Sequence, residues 1–219
     1  PLVILSERIS RTLRGSAEVP VTSAEEIRLL ALLGSSEGAV GRHTAGMIVG
    51  ATQLGLLRVR DVMLPRGEVH FLSGTMNRDE ALAKVRESGH SRFPYSPTGE
   101  LDDVSGVVLV KDLLHWLLAH DDTTIDWDAV HHEILVLPES APLLKTMRTF
   151  QESRRHLAVV VDEYGSVKGI VTLEDVLEEI VGEIDDESDR PTTELVERKE
   201  GTLVVRATVD LRKLSQKLH

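Results

Sequence analysis

Apolar positions along this chain recur with period two in some stretches and with helical spacing in others, and one such stretch occurs twice. Gly106-Val107-Val108-Leu109-Val110-Lys111-Asp112 returns 63 positions later as Gly169-Ile170-Val171-Thr172-Leu173-Glu174-Asp175. Apolar residues then follow at one spacing: Val110, Leu113, Leu114, Leu117 and Leu118 in the first copy, and Leu173, Val176, Leu177, Ile180 and Val181 in the second. Each copy reads as a short buried strand running into a helix whose apolar stripe falls at i, i+3, i+4, i+7 and i+8. A repeat of that period predicts paired units that cover each other's apolar faces.

The same reading extends outward from the repeat. Ser23-Ala24-Glu25-Glu26 is a capping box opening a helix that carries Ile27, Leu30 and Leu33, and a second helix is predicted over Thr44–Leu56. In the first repeat, Val59–Met63 leads into Pro65, Val69–Leu72 is strand-like, and Asp79–Ser88 is a helix ending at Gly89. Strands at Arg92–Tyr95 and Gly106–Leu109 precede a helix over Lys111–Leu118. The second repeat echoes this order with a strand at Ile134–Leu137, a helix at Ala141–Phe150 and a strand at Leu157–Asp162. A tight turn at Glu163-Tyr164-Gly165-Ser166, a strand at Lys168–Val171 and a helix from Thr172 to Val181, stopped by Gly182, complete it.

The fold class that follows is α/β: two βαββα repeats, 58–121 and 122–187, after an N-terminal helical segment, 1–57. Glu183–Asp189 carries five carboxylates in seven residues and reads as a solvated connector. Residues 188–219 contain strand-like Leu195–Glu197 and Thr202–Ala207 and a helix over Val209–Leu218. This stretch is too short to bury a core of its own and reads as the opening of a truncated α/β domain. At the other end, Leu5, Ile9 and Leu13 alternate with Arg8, Arg11 and Arg14 within Pro1–Gly15. Such a segment is either a solvated helix end or a juxtamembrane helix facing anionic lipid.

Composition narrows the chemistry. A formal net charge of −11 argues against general nucleic-acid binding, which needs basic surface to displace counterions. Zero cysteines exclude disulfides, thiolate metal sites and cysteine nucleophiles. Aromatics make up 3%, so the core must be built of Leu, Val and Ile. No apolar run reaches the ~20 residues of a membrane span, and neither a GxSxG nor a Walker A motif occurs. His131-His132-Glu133 offers metal-ligand side chains, but neighbours on a strand face opposite ways and suit a surface better.

The second repeat is where binding chemistry concentrates. A strand turning tightly into a helix points free N–H groups and the positive dipole end outward, which favours phosphate. Thr172 can donate its hydroxyl to a phosphate oxygen, Asp175 can accept from both hydroxyls of a ribose, and Gly169 permits close approach to the strand. Thr172-Leu173-Glu174-Asp175 is equally a Thr-x-x-Asp helix cap, which needs no ligand. Arg92, followed by the rigid apolar pair Phe93-Pro94, is the candidate charge opposing phosphate, since a guanidinium grips phosphate through two N–H groups. The first repeat has Leu109 where the second has Thr172, so its own site is expected to be weak or empty despite Asp112. One nucleotide per pair of repeats follows. The carboxylates of Asp185, Asp186, Glu187 and Asp189 suit a solvated linker better than a cation cage, so any Mg²⁺ is expected on phosphate oxygens.

A strand-helix-strand-strand-helix unit ending in Gly-h-x-Thr-x-x-Asp resembles the cystathionine β-synthase (CBS) domain, which occurs in pairs that bind adenosine nucleotides. Four segments make the likeness narrower: Arg60-Asp61-Val62-Met63-Leu64-Pro65-Arg66, Ser91-Arg92-Phe93-Pro94, Val161-Asp162-Glu163-Tyr164-Gly165 and the run from Thr172 to Ile184. Together they resemble the CorC/hemolysin C-like family, magnesium and cobalt efflux proteins related to the cyclin M transporters. The resemblance covers the chain from about Ser23 onward. It implies ATP or another adenosine nucleotide, with Mg²⁺, held by Thr172, Asp175 and Gly169 together with Ser91, Arg92, Phe93 and Pro94. It also implies a non-catalytic module on the cytoplasmic face of the membrane, following an integral-membrane domain of its own and assembling as a homodimer through its CBS helices. A soluble nucleotide-sensing module controlling an enzyme partner is the alternative that the generic CBS pattern leaves open.

Overall fold

The computed structural model describes residues 23–120, 124–182, 195–198 and 202–205. The chain divides into two compact units, Pro1–Gly182 and Glu183–His219. In the first, the helices α1 (Ala24–Ser36) and α2 (Arg42–Leu54) precede the repeats. The first repeat supplies β1 (Leu64–Pro65), β2 (Leu72–Ser73), α3 (Arg78–Ser88), β3 (Arg92–Ser96), β4 (Gly106–Leu109) and α4 (Val110–Ala119). From the second come α5 (Trp127–Val130), β5 (His131–Glu133), β6 (Leu135–Pro138), α6 (Leu143–Ser153), β7 (Leu157–Val161), β8 (Val167–Thr172) and α7 (Leu173–Val181). The second unit contributes an antiparallel pair, β9 (Leu195–Arg198) with β10 (Thr202–Val205). The expected basic segment Pro1–Gly15, the acidic connector and the helix over Val209–Leu218 lie outside the described residues.

Local chemistry accounts for most element ends. Ser23 and Glu26 form the reciprocal cap that opens α1, and Asn77 with Glu80 does the same for α3. Each such cap contributes about 1 kcal/mol. The helix α3 stops at Gly89, whose φ of 68° lies in the left-handed region that glycine enters without steric cost. Ile27, Leu30 and Leu33, by contrast, remain exposed on α1.

Two four-stranded sheets result, and the repeats exchange their leading strands. One sheet runs β1-β8-β7-β6 and the other β2-β3-β4-β5. Strand β1, from the start of the first repeat, pairs antiparallel with β8 of the second, Leu64 opposite Ile170 and Pro65 opposite Gly169. Strand β5, which precedes the second repeat's own sheet, pairs with β4 of the first, Val107 opposite His132.

The strand interiors read as continuous apolar runs because both faces are covered. On β4, Val108 joins the core beneath α3 and α4, with Leu72, Phe93 and Leu113. Its neighbour Val107 turns the other way, into a core shared with Leu157, Val159, Val167 and Ile170 of the second repeat. Ala158, Val160 and Val171 fill a third core with Leu143, Phe150 and Val176. The middle core is the apolar joint between the repeats.

A polar clamp reinforces that joint. The Arg66 guanidinium donates to Asp102 Oδ1 at 2.6 Å and to the Val167 carbonyl at 3.0 Å, while the Val167 N–H donates to the same Asp102 oxygen at 2.9 Å. The Arg66 side chain and then the Val167 N–H hold the Asp102 carboxyl below its ordinary value of 3.8. A carboxyl lowered in the folded state stabilises folding fully above its unfolded value and loses that contribution as the pH falls through the folded value. Stability should therefore decline below about pH 4, and Asp102→Asn should remove part of that acid dependence in urea titrations at pH 3 and pH 6. Parallel acid profiles for the two proteins would rule the clamp out as a contributor.

Candidate functional site

The turn from β8 into α7 positions the two signature side chains. Thr172 is the N-cap: its hydroxyl accepts from the Asp175 N–H at 3.2 Å, and Asp175 Oδ2 accepts from the Thr172 N–H at 2.7 Å. The cap that the four residues spell is therefore formed. It leaves the Thr172 hydroxyl proton and the second Asp175 oxygen for another partner. The Leu173 N–H donates to the His156 carbonyl at 3.1 Å, so this helix start offers fewer free N–H groups than the sequence led us to expect.

Arg92 meets that turn from the first repeat. Its Nη1 lies 3.9 Å from Glu174 Oε1, and His156 Nδ1 lies 3.7 Å from the same oxygen. Glu174 thus stands between a nitrogen-bearing side chain of each repeat. All three side chains are substantially exposed and neither separation is short, so the pairings contribute little to stability and are easily exchanged. Three of the expected residues sit elsewhere. Phe93 is fully buried in the first-repeat core, Pro94 is buried beside it, and the space next to Gly169 is taken by the Leu64 carbonyl of β1. Gly169 serves the strand exchange: a Cβ there would collide with that carbonyl.

Ser91 and Arg92 line a cavity of about 1010 Å³, whose walls otherwise come from the end of α3 and the turn after it, β4, the start of α4, His132 and Arg154–Leu157. Thr172 and Asp175 are not among its lining residues. The cavity lies against the first repeat's strand-to-helix turn, where the sequence predicts a weak or empty site. There the Val110 N–H donates to the Ser91 carbonyl, as Leu173 does to His156 in the second repeat. Matching those two hydrogen bonds equates Ser91 with His156. Arg154 and Arg155 carry no motif of their own. His131 and His132 diverge as expected: His131 Nδ1 meets the Trp127 carbonyl at 2.7 Å, and His132 Nε2 meets Asp112 at 2.8 Å. Among the described residues, no group of three or more His, Asp or Glu is placed to hold a metal ion, and no helix is long and apolar enough to cross a membrane.

Comparison with known proteins agrees with this architecture. The CBS domain family model matches residues 127–182. The magnesium and cobalt efflux protein CorC of Pasteurella multocida is 36% identical over 82% of this chain. The chain spans about 60% of the length of that relative. The solved CBS domain of a bacterial CNNM/CorC family Mg²⁺ transporter is 32% identical, with a TM-score of 0.65 over 76% of this chain and 100% of the other. A structure of that domain in complex with ATP is 34% identical, with a TM-score of 0.59 over 64% of this chain and 97% of the other. With both repeats, the exchanged strands and the Thr172–Asp175 turn in place, the chain belongs to the CNNM/CorC family, as a pair of CBS domains.

Proposed function

We propose that this chain is the regulatory region of a membrane magnesium and cobalt efflux protein, binding ATP with Mg²⁺ where α7 begins. The observation that carries this reading is the meeting of Arg92, from the first repeat, with the first turn of α7 in the second. Thr172 donates its hydroxyl to a phosphate, Asp175 accepts from the ribose hydroxyls, and Arg92 exchanges Glu174 for phosphate oxygens. The solved relative in complex with ATP supports the choice of ligand. Mg²⁺ takes its places on the phosphates, because it keeps several waters and prefers such oxygens. It also relieves the repulsion between ATP and a chain of net charge −11. The module is non-catalytic. A nucleotide bridging the repeats favours one arrangement of them by its differential affinity, and the chain's own membrane domain, on whose cytoplasmic side the module lies, responds to that shift.

Asp175→Ala should weaken ATP binding by about 1.5–3 kcal/mol, the scale of a hydrogen bond to a charged group. Calorimetry with and without magnesium checks this, and ATP affinity should rise when the ion is present. Unchanged affinity in Asp175→Ala would reduce the turn to a helix cap. The same reading makes the chain a homodimer through α4 and α7, whose Leu114, Leu118 and Leu177 remain exposed after folding. Light scattering that finds only monomer at high concentration excludes that assembly.

A further inference from the structure

We propose that Arg66 and Asp102 are positioning residues for the nucleotide site, holding Arg92 of the first repeat and the Thr172–Asp175 turn of the second at the separation one nucleotide spans. The inference rests on the reading of that turn as the nucleotide site and adds a control remote from it. Two rods meet at both of their ends. One is β8, which begins at Val167 and ends at Thr172, the N-cap of α7. The other is the β3–β4 hairpin, in which Arg92 lies opposite Leu109 at the open end. Its closed end holds the turn Leu101–Asp103. At the site end the rods touch through Arg92 and Glu174, which are 3.9 Å apart and readily exchanged. At the other end, about 17 Å away along β8, the clamp of Arg66, Asp102 and Val167 ties them.

The clamp is directional where the rest of the joint is not. Leu101, Val107, Leu157, Val159, Val167 and Ile170 form the apolar core between the repeats, and the hydrophobic effect that drives such burial has no preferred angle. The β7–β8 ladder is also irregular at this end: Val160 faces Gly169, but Val161 faces Val167. Asp102 supplies what the ladder lacks there. Its Oδ1 accepts from the Arg66 guanidinium at 2.6 Å and from the Val167 N–H at 2.9 Å, while Arg66 also donates to the Val167 carbonyl at 3.0 Å. Both backbone groups of Val167 are thereby fixed, one to the hairpin's Asp102 and one to Arg66. Bonds of this charge-assisted kind carry geometric specificity as well as energy.

Exposure argues for positioning above stability. The Arg66 and Asp102 side chains are 43% and 49% exposed, so solvent screens the pair and its share of the folding free energy is small. What the clamp selects is one arrangement of the two repeats. A ligand that must touch both repeats binds only molecules already in that arrangement, and its apparent affinity falls with the fraction that occupies it. Loss of the clamp therefore acts on the site through β8 and the hairpin, with no contact to the nucleotide.

Calorimetry with ATP and magnesium on the full 219-residue chain gives the first measurement. Arg66→Gln and Asp102→Ala should each weaken ATP binding about fivefold to tenfold, the loss expected when the competent arrangement falls to roughly 10–20% of molecules. Arg66→Lys keeps a charged donor for Asp102 and should stay within about twofold of wild type. Spin labels supply a readout that needs no nucleotide. The chain has no cysteine, so Glu87→Cys on α3 and Glu178→Cys on α7, both exposed, can carry them. The distance between the labels should be narrowly distributed with the clamp intact and broader in Arg66→Gln and Asp102→Ala. Unchanged ATP affinity in both clamp variants overturns the proposal, and so does weakened affinity with an unchanged distribution of label distances. If wild type binds no ATP, the nucleotide reading fails by itself and the labels decide the clamp. A broader distribution in the variants then upholds it as the element that sets the arrangement of the repeats, and an unchanged one overturns it.

Discussion

Phe93→Ala should destabilise the chain by about 3–5 kcal/mol, the range measured when a fully buried aromatic is truncated. Phe93 is 0% exposed and packs in the core formed by Leu72, Val108, Leu113 and Leu117. It also meets His90 edge-on, with ring centroids 5.9 Å apart. Truncation leaves a cavity between β3 and the helices α3 and α4, and neighbours drawn from three elements cannot all close on it. Urea unfolding gives the measurement. A loss below about 1 kcal/mol would show that the ring is not a packing element, and a loss of ATP affinity at full stability would return it to the site edge that the sequence suggests.

Gly169→Ala should be comparably damaging, by about 2–3 kcal/mol, through overpacking and the loss of strand pairing. The new Cβ would fall well inside contact distance of the Leu64 carbonyl, which is backbone and cannot rotate away. β1 must then separate from β8, undoing the pairing of Leu64 with Ile170 and of Pro65 with Gly169. The first repeat thereby loses its strand in the second repeat's sheet. Amide exchange along β8 and the urea midpoint should both register the change. An alanine variant that is fully stable yet fails to bind ATP would mean the glycine makes room for ligand instead of strand.

Whatever depends on local periodicity was legible in the sequence. The stripes after Leu109 and Thr172 place α4 and α7, the short apolar runs place β4, β7 and β8, and Gly89 and Gly182 mark two helix ends. The Thr172–Asp175 motif announced both a cap and a ligand, and the cap is formed. The family was legible for the same reason, since its motifs are contiguous runs. The strand exchange was not, because β1 and β5 are two and three residues long, too short to carry a period, and their partners lie far along the chain. Nor was the cationic cavity. Arg86 on α3, Lys111 on α4 and Arg154 just past α6 are far apart in the sequence, and packing the repeats face to face gathers them around one space. Sequence pattern determined which segments become helices and strands, because those choices rest on neighbours within a turn or two. Tertiary structure alone decided that Gly169 faces a carbonyl, that Phe93 is core and that the first repeat has a cavity. Each of those depends on which distant surfaces meet when both faces of every strand must be buried.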